Sequence, residues 1–60
     1  KLVRRGSKGD TVRKLQECLG LDADGDFGRG TEAALKAWQL ENGCTPDGIA
    51  GPQTLGKIFS

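Results

Sequence analysis

The chain has 60 residues, 35% of them apolar, with nine basic against eight acidic side chains and a formal net charge of +1. A domain this short buries only about 60% of its unfolded surface, which allows one small core rather than a fold built around a catalytic cleft. The balanced charge, with no basic run longer than Arg4-Arg5, argues against nucleic acid as the main partner, and no apolar stretch reaches membrane-spanning length.

In chain order, Leu2 and Val3 form an apolar lead-in to a Gly6–Gly9 turn. Val12, Leu15 and Leu19 then recur at helical spacing, with Arg13, Lys14 and Glu17 on the opposite face, and Gly20 is placed to end that helix in a left-handed cap. A second, longest helix is predicted to open near Gly28 or Arg29, with Ala34, Leu35 and Trp38 as its apolar stripe, Thr31 one turn earlier and Gly43 as its stop. The third begins at Pro52, which suits a first helical position because its missing N–H would be unpaired there anyway; Leu55, Ile58 and Phe59 give it one apolar edge. No window alternates with period two. The expected fold is all-α: a single domain over residues 1–60, a small three-helix bundle. Its start at Lys1, with neither a methionine nor a signal peptide, reads as an excised piece of something larger.

The helices are joined by a repeated phrase. Asp24-Gly25-Asp26-Phe27-Gly28-Arg29-Gly30-Thr31 and Asp47-Gly48-Ile49-Ala50-Gly51-Pro52-Gln53-Thr54 share the frame D-G-x-x-G-x-x-T, offset by 23 residues, and Gly6–Val12 is a fainter first copy. Asp24, Gly25, Asp47 and Gly48 are turn formers, since the carboxylate accepts a hydrogen bond from an N–H two residues on and glycine takes positive φ without steric cost. Both turns lead into helix N-termini, where free N–H groups favour an anion. A ligand-binding surface is therefore expected from Asp26, Phe27, Gly28 and Arg29 in one turn and Ile49, Gly51 and Gln53 in the other, with Arg29 as a forked donor to a carboxylate. Phe27 and Ile49 are read as occupying comparable places, either as exposed contacts or as plugs of the small core. Trp38 could serve as a sugar platform, but Ala34 and Leu35 at helical spacing assign it to the core. Gln16 and Gln39 border the apolar stripes and could satisfy loop backbone groups.

Chemistry beyond binding finds little support. The chain has no histidine, which removes the commonest general base and metal ligand. Asp22, Asp24 and Asp26 imitate the opening of a calcium loop, but Phe27 stands where that loop needs glycine and Ala33 where it needs glutamate. Asp24 and Asp26 lack the apolar cleft an acid pair requires. No catalytic residue, metal ligand or cofactor is expected. Cys18 and Cys44 are an even pair in a very small domain, which suggests a disulfide and an extracytoplasmic setting; the alternative is two small apolar side chains that never pair.

Arg4-Arg5-Gly6-Ser7-Lys8-Gly9-Asp10, Val12, Leu15-Gln16 and Leu19 resemble the opening of the peptidoglycan-binding module of bacterial and phage lytic enzymes. Asp24-Gly25-x-Phe27-Gly28-x-x-Thr31-x-x-Ala34-x-x-x-Trp38-Gln39 resembles its centre. Asn42-Gly43 and Asp47-Gly48-Ile49-x-Gly51-Pro52-x-Thr54 resemble its end. The resemblance implies a monomeric, non-catalytic three-helix domain that docks an attached hydrolase or peptidase onto wall peptidoglycan, through stem peptide or glycan, either outside the cytoplasm or as a phage product. Cys44 stands where that family more usually has an apolar residue, a departure that supports pairing with Cys18. A related three-helix arrangement precedes secreted metalloproteases, so a propeptide-like or protein-interaction domain is the alternative. A calcium-dependent module is a third reading.

Overall fold

In the computed structural model, which describes residues 2–60, the helices follow the glycine punctuation: α1 is Asp10–Cys18, α2 is Arg29–Glu41 and α3 is Pro52–Phe59. Each is preceded by a glycine, Gly9, Gly28 or Gly51, and none of the three starts carries a side-chain cap. Backbone N–H groups at these starts are therefore left to solvent or a ligand.

α1 and α2 stop in the same way. Gly20 (φ +77°) and Gly43 (φ +72°) take the left-handed conformation just past the helix ends. At the first, Gly20 N–H bonds Glu17 O at 3.1 Å and Leu21 N–H bonds Gln16 O at 2.8 Å. At the second, Gly43 N–H bonds Leu40 O at 3.4 Å and Cys44 N–H bonds Gln39 O at 2.8 Å. Both are Schellman stops, in which the residue after the glycine commonly packs an apolar side chain back on the helix. Leu21 and Cys44 hold that position.

Two antiparallel bridges tie the chain together without forming a named strand among the described residues: Val3 pairs with Ala50, and Lys8 with Asp26. Val3 and Ala50 exchange both N–H···O bonds, at 2.9 and 2.8 Å, while Gly6 and Ser7 pair with Phe27 at 3.0 Å each. The core beneath comprises Val3, Val12, Leu15, Phe27, Leu35 and Ala50, flanked by Leu19, Leu55 and Ile58. At about 25 cal/mol per Å² of apolar area, Phe27 is the largest single contributor to so small a core.

Three expectations are corrected. Phe27 is 1% exposed, so it plugs the core and offers no surface to a ligand. The 23-residue offset gives the reason: Phe27 corresponds to Ala50, also fully buried, whereas Ile49 corresponds to exposed Asp26. Trp38 is half-buried, because the buried stripe of α2 runs through Thr31, Leu35 and Gln39 and leaves the indole at its margin. Cys18 and Cys44 are free thiols. Cys18 faces solvent at the last residue of α1, while Cys44 serves the stop of α2, its Sγ 3.8 Å from Asn42 O.

Candidate ligand-binding groove

Gln16 and Gln39 organise the two Asp-Gly turns. Gln16, 2% exposed, accepts the Gly25 N–H through Oε1 at 2.9 Å, and the two protons of its Nε2 are shared among Asp24 Oδ1 (2.9 Å), Asp26 O (3.1 Å) and Thr31 Oγ1 (3.0 Å). Gln39, 1% exposed, repeats the arrangement 23 residues on. Its Oε1 accepts the Gly48 N–H at 3.0 Å, and its Nε2 donates to Asp47 Oδ1 (3.2 Å) and Ile49 O (3.1 Å). A buried primary amide with every polar atom engaged costs little desolvation, and it fixes the turn as firmly as a backbone ladder would.

The aspartates complete each turn. Asp24 Oδ1 accepts the Asp26 N–H, and Asp47 Oδ1 accepts the Ile49 N–H, both at 2.9 Å. The Asp26 N–H, and after it the Gln16 amide, hold the Asp24 carboxyl below the usual carboxylate range. For Asp47 the Ile49 N–H dominates the lowering, desolvation opposes it, and the Gln39 amide adds to it. The turn glycines take φ +77° at Gly25 and +74° at Gly48. A Cβ on Gly48 would lie 2.9 Å from Glu32 Cγ, so this turn also packs closely against α2.

The second turn opens beside a groove of about 730 Å³ at the start of α3. Leu2, Cys44 and Ile49 supply apolar wall, and Gln39 and Asp47 stand at its turn side. Gly51, Pro52, Gln53, Thr54 and Lys57 line the helix side. The Lys57 ammonium reaches across to Asn42 O at 2.9 Å, which places a positive charge next to the stop of α2. Pro52 has no N–H and the Leu55 N–H is bonded to Gly51 O at 2.9 Å, so Gln53 and Thr54 contribute the free N–H groups of this helix start.

Of the expected ligand residues, Ile49, Gly51 and Gln53 come together in this groove, and Asp47 and Gly48 shape it. Asp26, Gly28 and Arg29 lie outside it, at the start of α2; Asp26 and Arg29 are exposed there. Asp24 and Gly25 hold the turn in shape. Leu2, Cys44, Thr54 and Lys57 were not legible as groove residues. The repeated frame singles out Thr54, but no spacing rule brings Leu2 from the far end of the chain to Gly51, whose Cβ would sit 3.4 Å from Leu2 Cδ2.

Comparison with known proteins agrees with this architecture. The family described as "Putative peptidoglycan binding domain" matches residues 8–58. The chain is 42% identical over 65 residues to the zinc D-Ala-D-Ala carboxypeptidase of Streptomyces albus G, an alignment covering 95% of this chain and 26% of that protein. Among solved structures, the SleB N-terminal domain superposes with a TM-score of 0.93 at 34% identity, covering 98% of this chain and 89% of that one. The endolysin of Burkholderia AP3 phage gives a TM-score of 0.90 at 38% identity, covering 97% of this chain and 24% of that one. The chain belongs to the peptidoglycan-binding domain family. It spans about a quarter of the length of the carboxypeptidase and of the endolysin.

Proposed function

We propose that this domain is a non-catalytic anchor that binds bacterial peptidoglycan through the groove at the start of α3, and so holds an attached hydrolase or peptidase against the wall. The observation that carries the reading is the convergence of Ile49, Gly51 and Gln53 with the Lys57 ammonium in one open groove. An apolar wall beside free N–H groups and a cation suits an extended peptide bearing a carboxylate, which is the chemistry of a peptidoglycan stem peptide. A charge-assisted hydrogen bond there contributes about 1.5–3 kcal/mol when shielded from water and less when exposed. So small a site binds weakly by itself and gains from tethering, which fits relatives in which the module is a minor part of the chain. The setting that follows is extracytoplasmic, or that of a phage product acting on the wall, with the domain acting as a monomer. Neither nucleic acid nor membrane is a partner in this reading.

The free, exposed thiol of Cys18 favours a second reading, a propeptide-like domain whose cysteine caps a protease zinc. Cys18 lies inside the last turn of α1, in the body of the domain, where it is poorly placed to enter a partner's active site. The anchor reading is therefore preferred.

Co-sedimentation of the 60-residue chain with purified, protein-free murein sacculi tests it. The parent chain should pellet, Ile49→Asp should remain in the supernatant, and Arg29→Ala should pellet like the parent. A parent chain that stays in solution overturns the reading, and so does an Ile49→Asp variant that sediments unchanged.

A further inference from the structure

Thr31 and Thr54 close the two copies of the glutamine-clamped turn at equivalent positions, 23 residues apart, yet their hydroxyls are used differently. Thr31, 5% exposed, accepts a hydrogen bond from Gln16 Nε2 at 3.0 Å. Thr54 is also buried, at 9% exposed, but Gln39 Nε2 lies within hydrogen-bond distance of Asp47 Oδ1 and Ile49 O and not of Thr54. Among the described residues Thr54 Oγ1 has no hydrogen-bond partner, and no buried side-chain oxygen or nitrogen is left unpartnered. The oxygen must therefore reach solvent, and the residue lines the groove. One module uses its threonine oxygen as an internal acceptor; the other presents an oxygen with no internal partner at a helix start, beside the free N–H groups of Gln53 and Thr54.

We propose that Thr54 is the ligand-reading hydroxyl of the groove, and that the domain holds one ligand because the equivalent oxygen of the first module is held inside its turn by Gln16 Nε2. This rests on the groove being the binding site. Thr54 Oγ1–H and the two N–H groups are three donors at one helix start, and Lys57, one turn further along the same helix, also lines the groove. The class of ligand group is a peptide carboxylate. Free N–H groups at a helix start favour an anionic oxygen over a neutral sugar hydroxyl.

Binding to sacculi is measured for the parent, Thr54→Val, Thr54→Ser, Thr31→Val and Ile49→Asp, each with its melting temperature, and repeated on sacculi whose stem carboxylates are blocked by carbodiimide amidation. Removing the hydroxyl should weaken binding about tenfold, the loss of one hydrogen bond to a charged acceptor. Thr54→Val should show that loss with an unchanged melting temperature, and Thr54→Ser should restore binding. Thr31→Val should melt lower and bind as the parent does once folded. Amidation should weaken the parent but cause no comparable further loss for Thr54→Val. If Thr54→Val binds like the parent while Ile49→Asp does not, Thr54 has no such role and the groove stands. If neither variant changes binding, the groove reading itself fails. Equal binding losses in folded Thr31→Val and Thr54→Val would overturn the single-site claim.

Discussion

Gln16 and Gln39 occupy the same step of two different helices, just before the stop, and each turns its amide onto the Asp-Gly turn that launches the next helix. The backbone carbonyl of the same residue accepts the N–H that closes the stop, from Leu21 in one case and Cys44 in the other. One residue thus joins a helix end, a turn and a helix start. The 23-residue repeat is a repeat of that assembly, longer than the eight-residue phrase that announces it.

Replacing Gln16 by leucine keeps the volume and leaves the buried Gly25 N–H without its acceptor. The expected cost is about 2–3 kcal/mol, a fall in melting temperature of at least about 10 °C for a domain of this size. Gln39→Leu should cost a similar amount by orphaning the Gly48 N–H, but it should also lose wall binding, because it deforms the turn beside the groove. Urea denaturation with parallel sedimentation on sacculi separates the two. Equal binding by both folded variants would contradict the role given to Gln39.

Acid should loosen the turns. Asp24 and Asp47 both have carboxyls held below their usual range in the folded chain, so their contribution is present above the unfolded value of about 3.9 and is lost as pH falls through the lower folded values. Stability should be flat from about pH 5 to 8 on this account and decline below about pH 4. Both carboxylates are exposed, so the decline is shallow. A double Asp24→Asn, Asp47→Asn variant keeps an acceptor oxygen at each turn and should show a flatter acid limb in melts taken from pH 2 to 7. An unchanged acid limb would assign the dependence to other groups.

The glycines separate two costs. Gly20 and Gly48 have nearly the same positive φ, +77° and +74°, but a Cβ meets nothing within 4 Å at Gly20 and lies 2.9 Å from Glu32 Cγ at Gly48. Gly20→Ala should cost about 1–2 kcal/mol, the left-handed strain alone. Gly48→Ala should cost more and shift the NMR signals of Glu32 and Lys36. Equal costs would show that α2 yields freely to the turn.

The three helices were legible because glycine stops and apolar spacing agree at every boundary. Gly20, Gly43 and Pro52 each stand where a local rule puts them. The turn scaffold was legible for the same reason, since an Asp-Gly pair acts on its own neighbours. The groove was only half legible. Apolar character pairs Phe27 with Ile49, but the 23-residue register aligns it with Ala50, and burial follows register. Helical spacing assigns Trp38 to the core, yet polar Thr31 and Gln39 take the buried stripe because their hydrogen bonds are satisfied there. Leu2 reaches the groove through the Val3–Ala50 bridge, a long-range pairing with no periodic signature.

The cysteines give an independent check on packing. Cys18→Ser should change stability by less than about 0.5 kcal/mol, as expected for an exposed substitution, whereas loss of a native disulfide costs about 2–5 kcal/mol. Alkylation of the folded chain without reductant should label Cys18 quickly and the half-buried Cys44 more slowly. A folded chain that takes up no label would restore the disulfide.

The most direct measurement is an NMR titration of the ¹⁵N-labelled 60-residue chain with a soluble muropeptide carrying free stem carboxylates. Amide shifts should concentrate at Ile49, Gly51, Gln53, Thr54 and Lys57, around the groove at the start of α3, and saturate as a single site. Shifts confined to Gly28, Arg29 and Gly30 at the start of α2, with residues 47–57 unmoved, would contradict it.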